Sequence, residues 1–78
     1  KYMTARKVKL DLHGVRHHDV KDKVIRSVED NWDADVELEI VTGHSDHMKS
    51  IVTDVLNEYN LPYNEGTFFN KGVILTYL

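Results

Sequence analysis

From Lys7 to His13 apolar and polar positions alternate, with Val8, Leu10 and Leu12 on one side and Lys7, Lys9, Asp11 and His13 on the other. That is the period-two pattern of a half-buried strand, and Gly14 ends it. The spacing then changes. Val20, Val24, Val28 and Trp32 recur every fourth residue with Ile25 beside them, which predicts a helix from Asp19, its expected N-cap, to about Trp32. Alternation returns at Val36, Leu38 and Ile40 between Glu37 and Glu39, so residues 36 to 42 are a second expected strand, closed by Thr42-Gly43. Met48, Ile51, Val52, Val55, Leu56 and Tyr59 mark a second helix, capped by Ser45 or Asp46 and stopped at Leu61-Pro62, because the residue before proline is pushed out of the α region. Residues 63 to 69 alternate weakly, Asn70-Lys71-Gly72 is an expected tight turn, and Val73 to Leu78 form a β-branched and aromatic final strand.

The expected class is therefore α/β, an α+β two-layer sandwich in the order β-α-β-α-β-β. Two successive strand-helix units call for right-handed crossovers, with the first two strands parallel and both helices on one face of a mixed four-stranded sheet. The 78 residues are expected to form a single domain, with residues 1 to 6 as an N-terminal tail. A chain of this size buries only about 60% of the surface its unfolded form exposes, so one shared core must carry its stability. There is no cysteine, which removes disulfides and thiolate metal sites and fits a reducing, cytoplasmic setting. No apolar run approaches the roughly 20 residues that span a bilayer.

Ten Lys and Arg against thirteen Asp and Glu give a formal charge of -3, the wrong sign for nucleic-acid binding by bulk electrostatics. Any such binding must be local. Lys1, Arg6, Lys7, Lys9 and Arg16 crowd the first strand and its exit, whereas Asp30, Asp33, Asp35, Glu37 and Glu39 cluster later; one rim is expected to be basic.

In a sheet of this kind the loops leaving the C-terminal ends of parallel strands gather beside the helix N-termini, where ligands bind. Two polar motifs fall there. In Leu10-Asp11-Leu12-His13-Gly14 a carboxylate sits beside an imidazole on the uncovered face. Asp11 is expected to orient His13, which then exchanges protons with a nucleophile or leaving oxygen. Gly14 lets a backbone approach, and Arg16, His17 and His18 follow. In Thr42-Gly43-His44-Ser45 a strand runs straight into a helix, offering backbone N–H groups and the positive dipole end to a phosphate. Both motifs have blander readings, as a solvated strand face and as a chain-turning glycine.

Together with Asn70-Lys71-Gly72-Val73-Ile74-Leu75, these motifs resemble the Smr (small MutS-related) domain over nearly the whole chain. The resemblance implies a fold like the C-terminal domain of bacterial translation initiation factor three. It also implies endonuclease activity on DNA or RNA, including cleavage of messenger RNA at collided ribosomes. Asp11 and His13 match the family motif assigned to catalysis; Gly14, Arg16, His17, Thr42, Gly43, His44, Ser45 and Lys71 are the expected nucleic-acid contacts. Family members usually carry a second glycine two positions after the first in the turn, where this chain has Ser45.

A metal-independent mechanism with no cofactor is expected, with RNA favoured over DNA and the domain monomeric. Three alternatives stand beside it: a divalent metal held by Asp11 with His13, His17, His18, His44 or His47; a non-catalytic RNA- or ribosome-binding adaptor; and a protein-interaction module of a larger protein. Trp32, Phe68 and Phe69 are expected to serve core or rim packing before base stacking.

Overall fold

The computed structural model describes residues 6–66 and 72–78. Its elements are β1 (Arg6–Asp11), α1 (His17–Asp30), β2 (Val36–Val41), α2 (Asp46–Glu58), β3 (Tyr63–Asn64) and β4 (Val73–Tyr77). The four strands form one mixed sheet in the order β1-β2-β4-β3, with β1 and β2 parallel and both β4 pairings antiparallel. Two strand-helix units followed by two strands account for this arrangement, and it is the expected α+β class.

Register assigns the faces. Val8 pairs with Leu38, Leu10 with Ile40, and Ile40 with Ile74. With Leu12 these positions meet Val20, Val24 and Val28 of α1 and Met48, Val52, Val55 and Leu56 of α2 in one buried cluster. Both helices therefore cover the same face of the sheet. The other face carries Lys7, Lys9 and Asp11 beside Glu37, Glu39 and Val41, and these beside Tyr77, Leu75 and Val73. The lysines of β1 thus lie in register with the glutamates of β2. Lys7 and Lys9 of the expected basic stretch are offset by acid on this face, and Lys1 lies outside the described residues.

Element ends follow local chemistry. Arg6, placed in the tail expected over residues 1 to 6, belongs to β1. The first helix begins at His17 with Arg16 at its N-cap and without a side-chain capping bond, and Asp19 lies in its first turn. A carboxylate suits either place, because it can accept from free N–H groups or oppose the positive end of the helix dipole. Ser45 caps α2: its Oγ accepts from the Met48 N–H at 3.1 Å. That helix ends in a left-handed residue, Asn60 (φ 57°), with the Leu61 N–H donating to the Leu56 carbonyl at 2.9 Å, the Schellman closure. Thr76 is buried and donates to the Pro62 carbonyl at 2.9 Å, holding β4 to the chain that enters β3. The expected turn at Asn70-Lys71 and the aromatics Phe68 and Phe69 lie outside the described residues.

Candidate active site and nucleic-acid interface

The parallel pair ends together. Asp11 is opposite Val41 and Val41 opposite Val73, so the loops after β1 and β2 meet the start of β4 at one rim. The ladder runs one step past β1, with the Leu12 N–H donating to the Val41 carbonyl at 3.0 Å. Leu12 is buried and anchors the exit from β1, while His13 and Gly14 are exposed just beyond it.

Asp11 shapes that exit. Its Oδ1 accepts from the main-chain N–H of His13 at 2.9 Å, and the Val15 N–H donates to the Leu12 carbonyl at 3.0 Å. The first bond is an Asx turn and the second closes a β-turn with Gly14 at its third position, where φ is 79°. No hydrogen bond or ion pair joins Asp11 to the His13 ring among the described residues. The expected alignment of the imidazole by the carboxylate is therefore replaced by an indirect one, in which Asp11 fixes the main chain from which His13 projects. An Asp at this place before a turn glycine is itself an Asx-turn signal.

The second motif is a clasp. Gly72 presents its carbonyl to the N–H groups of Thr42 at 2.8 Å and Gly43 at 3.0 Å. The Thr42 hydroxyl, on a residue 5% exposed, lies 3.1 Å from the same oxygen and 3.0 Å from the Gly43 carbonyl. The backbones approach so closely that a Cβ on Gly72 would lie 3.0 Å from the Cα of Gly43. Of the expected phosphate contacts, Thr42 and the Gly43 N–H are thus engaged within the protein, and Ser45 Oγ is engaged in its cap. The main-chain N–H groups of His44, Ser45, Asp46 and His47 have no protein acceptor among the described residues. They form the open donor set at the start of α2. Gly72, expected only to turn the chain, is the residue that lets β4 close against this loop.

The two helix N-termini are brought together. The His17 and His47 rings stand edge to face, 79° apart in plane with centroids 4.4 Å apart. His17, His44, His13 and Arg16 are all exposed, so the rim presents imidazoles and one guanidinium around free backbone donors. His18 points its Nε2 to Asp19 at 3.5 Å in a solvated pair, worth little energetically. Among the described residues no three His, Asp or Glu side chains converge to hold a metal ion. Lys71 lies outside the described residues. Trp32 is 53% exposed at the far end of the domain, against Tyr59, and joins neither the core nor this rim.

No family model matches the chain, and no curated protein or solved structure is significantly similar to it. What the geometry defines is a two-layer α+β domain with a histidine-bearing loop rim. No described helix is long and apolar enough to cross a membrane.

Proposed function

We propose that this chain is an Smr-like endonuclease that binds and cleaves nucleic acid, RNA in preference to DNA, with messenger RNA at stalled ribosomes as the substrate its resemblance suggests. The observation that carries the reading is the meeting of the Asp11-Leu12-His13-Gly14 exit and the Gly43-His44-Ser45 turn at one rim, joined through Leu12 and Val41. A phosphate needs donors beside a proton-transfer group. The N–H groups at the start of α2, which have no protein acceptor among the described residues, and the Arg16 side chain supply the first, and His13 supplies the second. Gly14 leaves open space, since a Cβ there would meet nothing within 4 Å.

In this mechanism His13 takes the proton of a ribose 2′-hydroxyl, whose oxygen attacks the adjacent phosphorus. The bond to the 5′ oxygen breaks, and that oxygen leaves with a proton from His44 or His47, giving a cyclic phosphate end. The fold expected by resemblance, that of the C-terminal domain of translation initiation factor three, belongs to the same proposal, as does a cytoplasmic setting.

An adaptor that docks on RNA without cutting it is the second reading. It is favoured by the net charge of -3 and by the engagement of the Asp11 carboxylate with main chain rather than with the imidazole. End-labelled RNA and single-stranded DNA incubated with the protein, with and without EDTA, decide between them. The nuclease reading expects RNA cleavage in EDTA that His13→Ala lowers at least 100-fold, the scale of acid–base catalysis, without weakening RNA binding. Binding without product from the wild type would establish the adaptor instead.

A further inference from the structure

At the end of the fold opposite the His13 rim, Trp32, Asp33, Leu61, Tyr77 and Leu78 line a cleft of about 120 Å³. Trp32 and Tyr77 are the exposed large apolar side chains of the described residues, 53% and 56% accessible. Two aromatic rings that would gain from burial are left in water here. Both rings are held in place. Trp32 is backed by the Tyr59 ring at 5.8 Å between centroids, and the Tyr77 hydroxyl donates to the Asp35 carboxylate.

The surroundings select an occupant. Asp33 lines the cleft, Asp35 is bonded to Tyr77, and Glu29 accepts from the Tyr59 hydroxyl behind Trp32. No lysine or arginine lines it among the described residues. Nucleic acid is repelled by these carboxylates, and a purely apolar partner would offer the Asp33 carboxylate no hydrogen-bond donor. A cation, by contrast, gains from the aromatic faces and from the acids together. The volume lies below the roughly 300–1,000 Å³ of small-molecule pockets and suits the planar head of one side chain. We propose that this cleft receives an arginine, or less favourably a lysine, from a basic segment of a protein partner. The surface is independent of the nuclease reading and leaves the His13 rim free.

An N-acetylated hexa-arginine peptide is the probe, titrated by calorimetry and by the emission of Trp32, the one tryptophan of the chain. Trp32→Ala removes the ring without changing charge. Asp33→Asn removes one carboxylate with a residue that also tolerates its left-handed backbone (φ 55°), and Asp54→Asn removes another exposed acid, outside the cleft. The expected result is a shift of Trp32 emission on binding. Calorimetric affinity should fall about three- to tenfold in Trp32→Ala and in Asp33→Asn, but stay unchanged in Asp54→Asn and His13→Ala. Backbone amide spectra verify that each variant is folded. Wild-type affinity in Trp32→Ala, equal losses in Asp33→Asn and Asp54→Asn, or a stronger emission shift with oligouridylate would each overturn the proposal.

Discussion

Gly72 and Gly14 sit at the same rim for different reasons, and the difference is measurable. At Gly14 space is open and only the backbone conformation, φ 79°, resists a side chain. At Gly72 the obstacle is the Gly43 main chain, 3.0 to 3.1 Å from where a Cβ would be, and main chain cannot swing aside as a side-chain tip does. Gly14→Ala is therefore expected to cost about 1–2 kcal/mol. Gly72→Ala should cost about 1–3 kcal/mol through steric strain, and should also weaken the Thr42 clasp. Thermal unfolding with amide spectra tests this: only Gly72→Ala should perturb the resonances of Thr42 and Gly43. Of this geometry the sequence disclosed the glycines but not their reasons. A positive φ and a backbone approach leave the same letter in the chain, and the partner of Gly72 stands 29 residues earlier, at Gly43. The Asp11 carboxylate was similarly visible as a residue and invisible as a main-chain acceptor.

The two helices begin alike in position and unlike in chemistry. Ser45 accepts from Met48, whereas Arg16 occupies the α1 N-cap, at φ -69° and ψ 144°, with no side-chain bond. Ser45→Ala should lower stability by about 1 kcal/mol, and Arg16→Ser should raise it by about 0.5–1 kcal/mol, both read as shifts in the urea midpoint. If the rim binds RNA, Arg16→Ser should weaken that binding while stabilising the fold. A poor cap kept at a binding edge is the kind of local conflict that function explains. The apolar spacing revealed both helices and the three longer strands, because one face of each is buried against a single core. It misplaced the start of α1, since Asp19 three positions past the cap serves the first turn as well as it would the cap. At the other end of α1 the helices are tied by the Tyr59 hydroxyl, which donates to Glu29 at 2.9 Å. That bond, with burial and the nearby Glu29 and Glu58 charges, raises the Tyr59 pKa above 10.0. A phenol held in its neutral form stabilises the fold below pH 10.0 and loses that contribution as pH rises toward its elevated folded value. Tyr59→Phe should accordingly be less stable than wild type at pH 8, and the gap in melting temperature should narrow above pH 10.

Across the whole molecule charge is sorted by end and face rather than by total. Lys7 and Lys9 stand beside Glu37 and Glu39 on the open sheet face, so that face gives a polyanion no continuous track. Acid gathers around Trp32 and Tyr77 at the far end. If the proposed rim receives phosphate, Arg16 is the exposed permanent cation among the candidate residues within the described range, and backbone N–H groups contribute dipoles instead of displaced counterions. This sets the salt dependence of binding. Each phosphate neutralised on a single strand contributes about -0.7 to the slope of log affinity against log salt. A rim engaging one phosphate through Arg16 should then give a slope of about -0.7 for oligouridylate, measured by fluorescence anisotropy. Arg16→Ser should bring the slope toward zero by roughly one step of 0.7. A slope steeper than about -3 would mean that four or more phosphates are neutralised, which the register of lysine against glutamate on the sheet face does not provide; binding would then run over another surface, and the rim would lose its claim to be the main contact. A shallow slope with measurable affinity would instead locate recognition in oriented backbone donors and a single guanidinium, an arrangement that selects the position of one phosphate more than it collects a long strand.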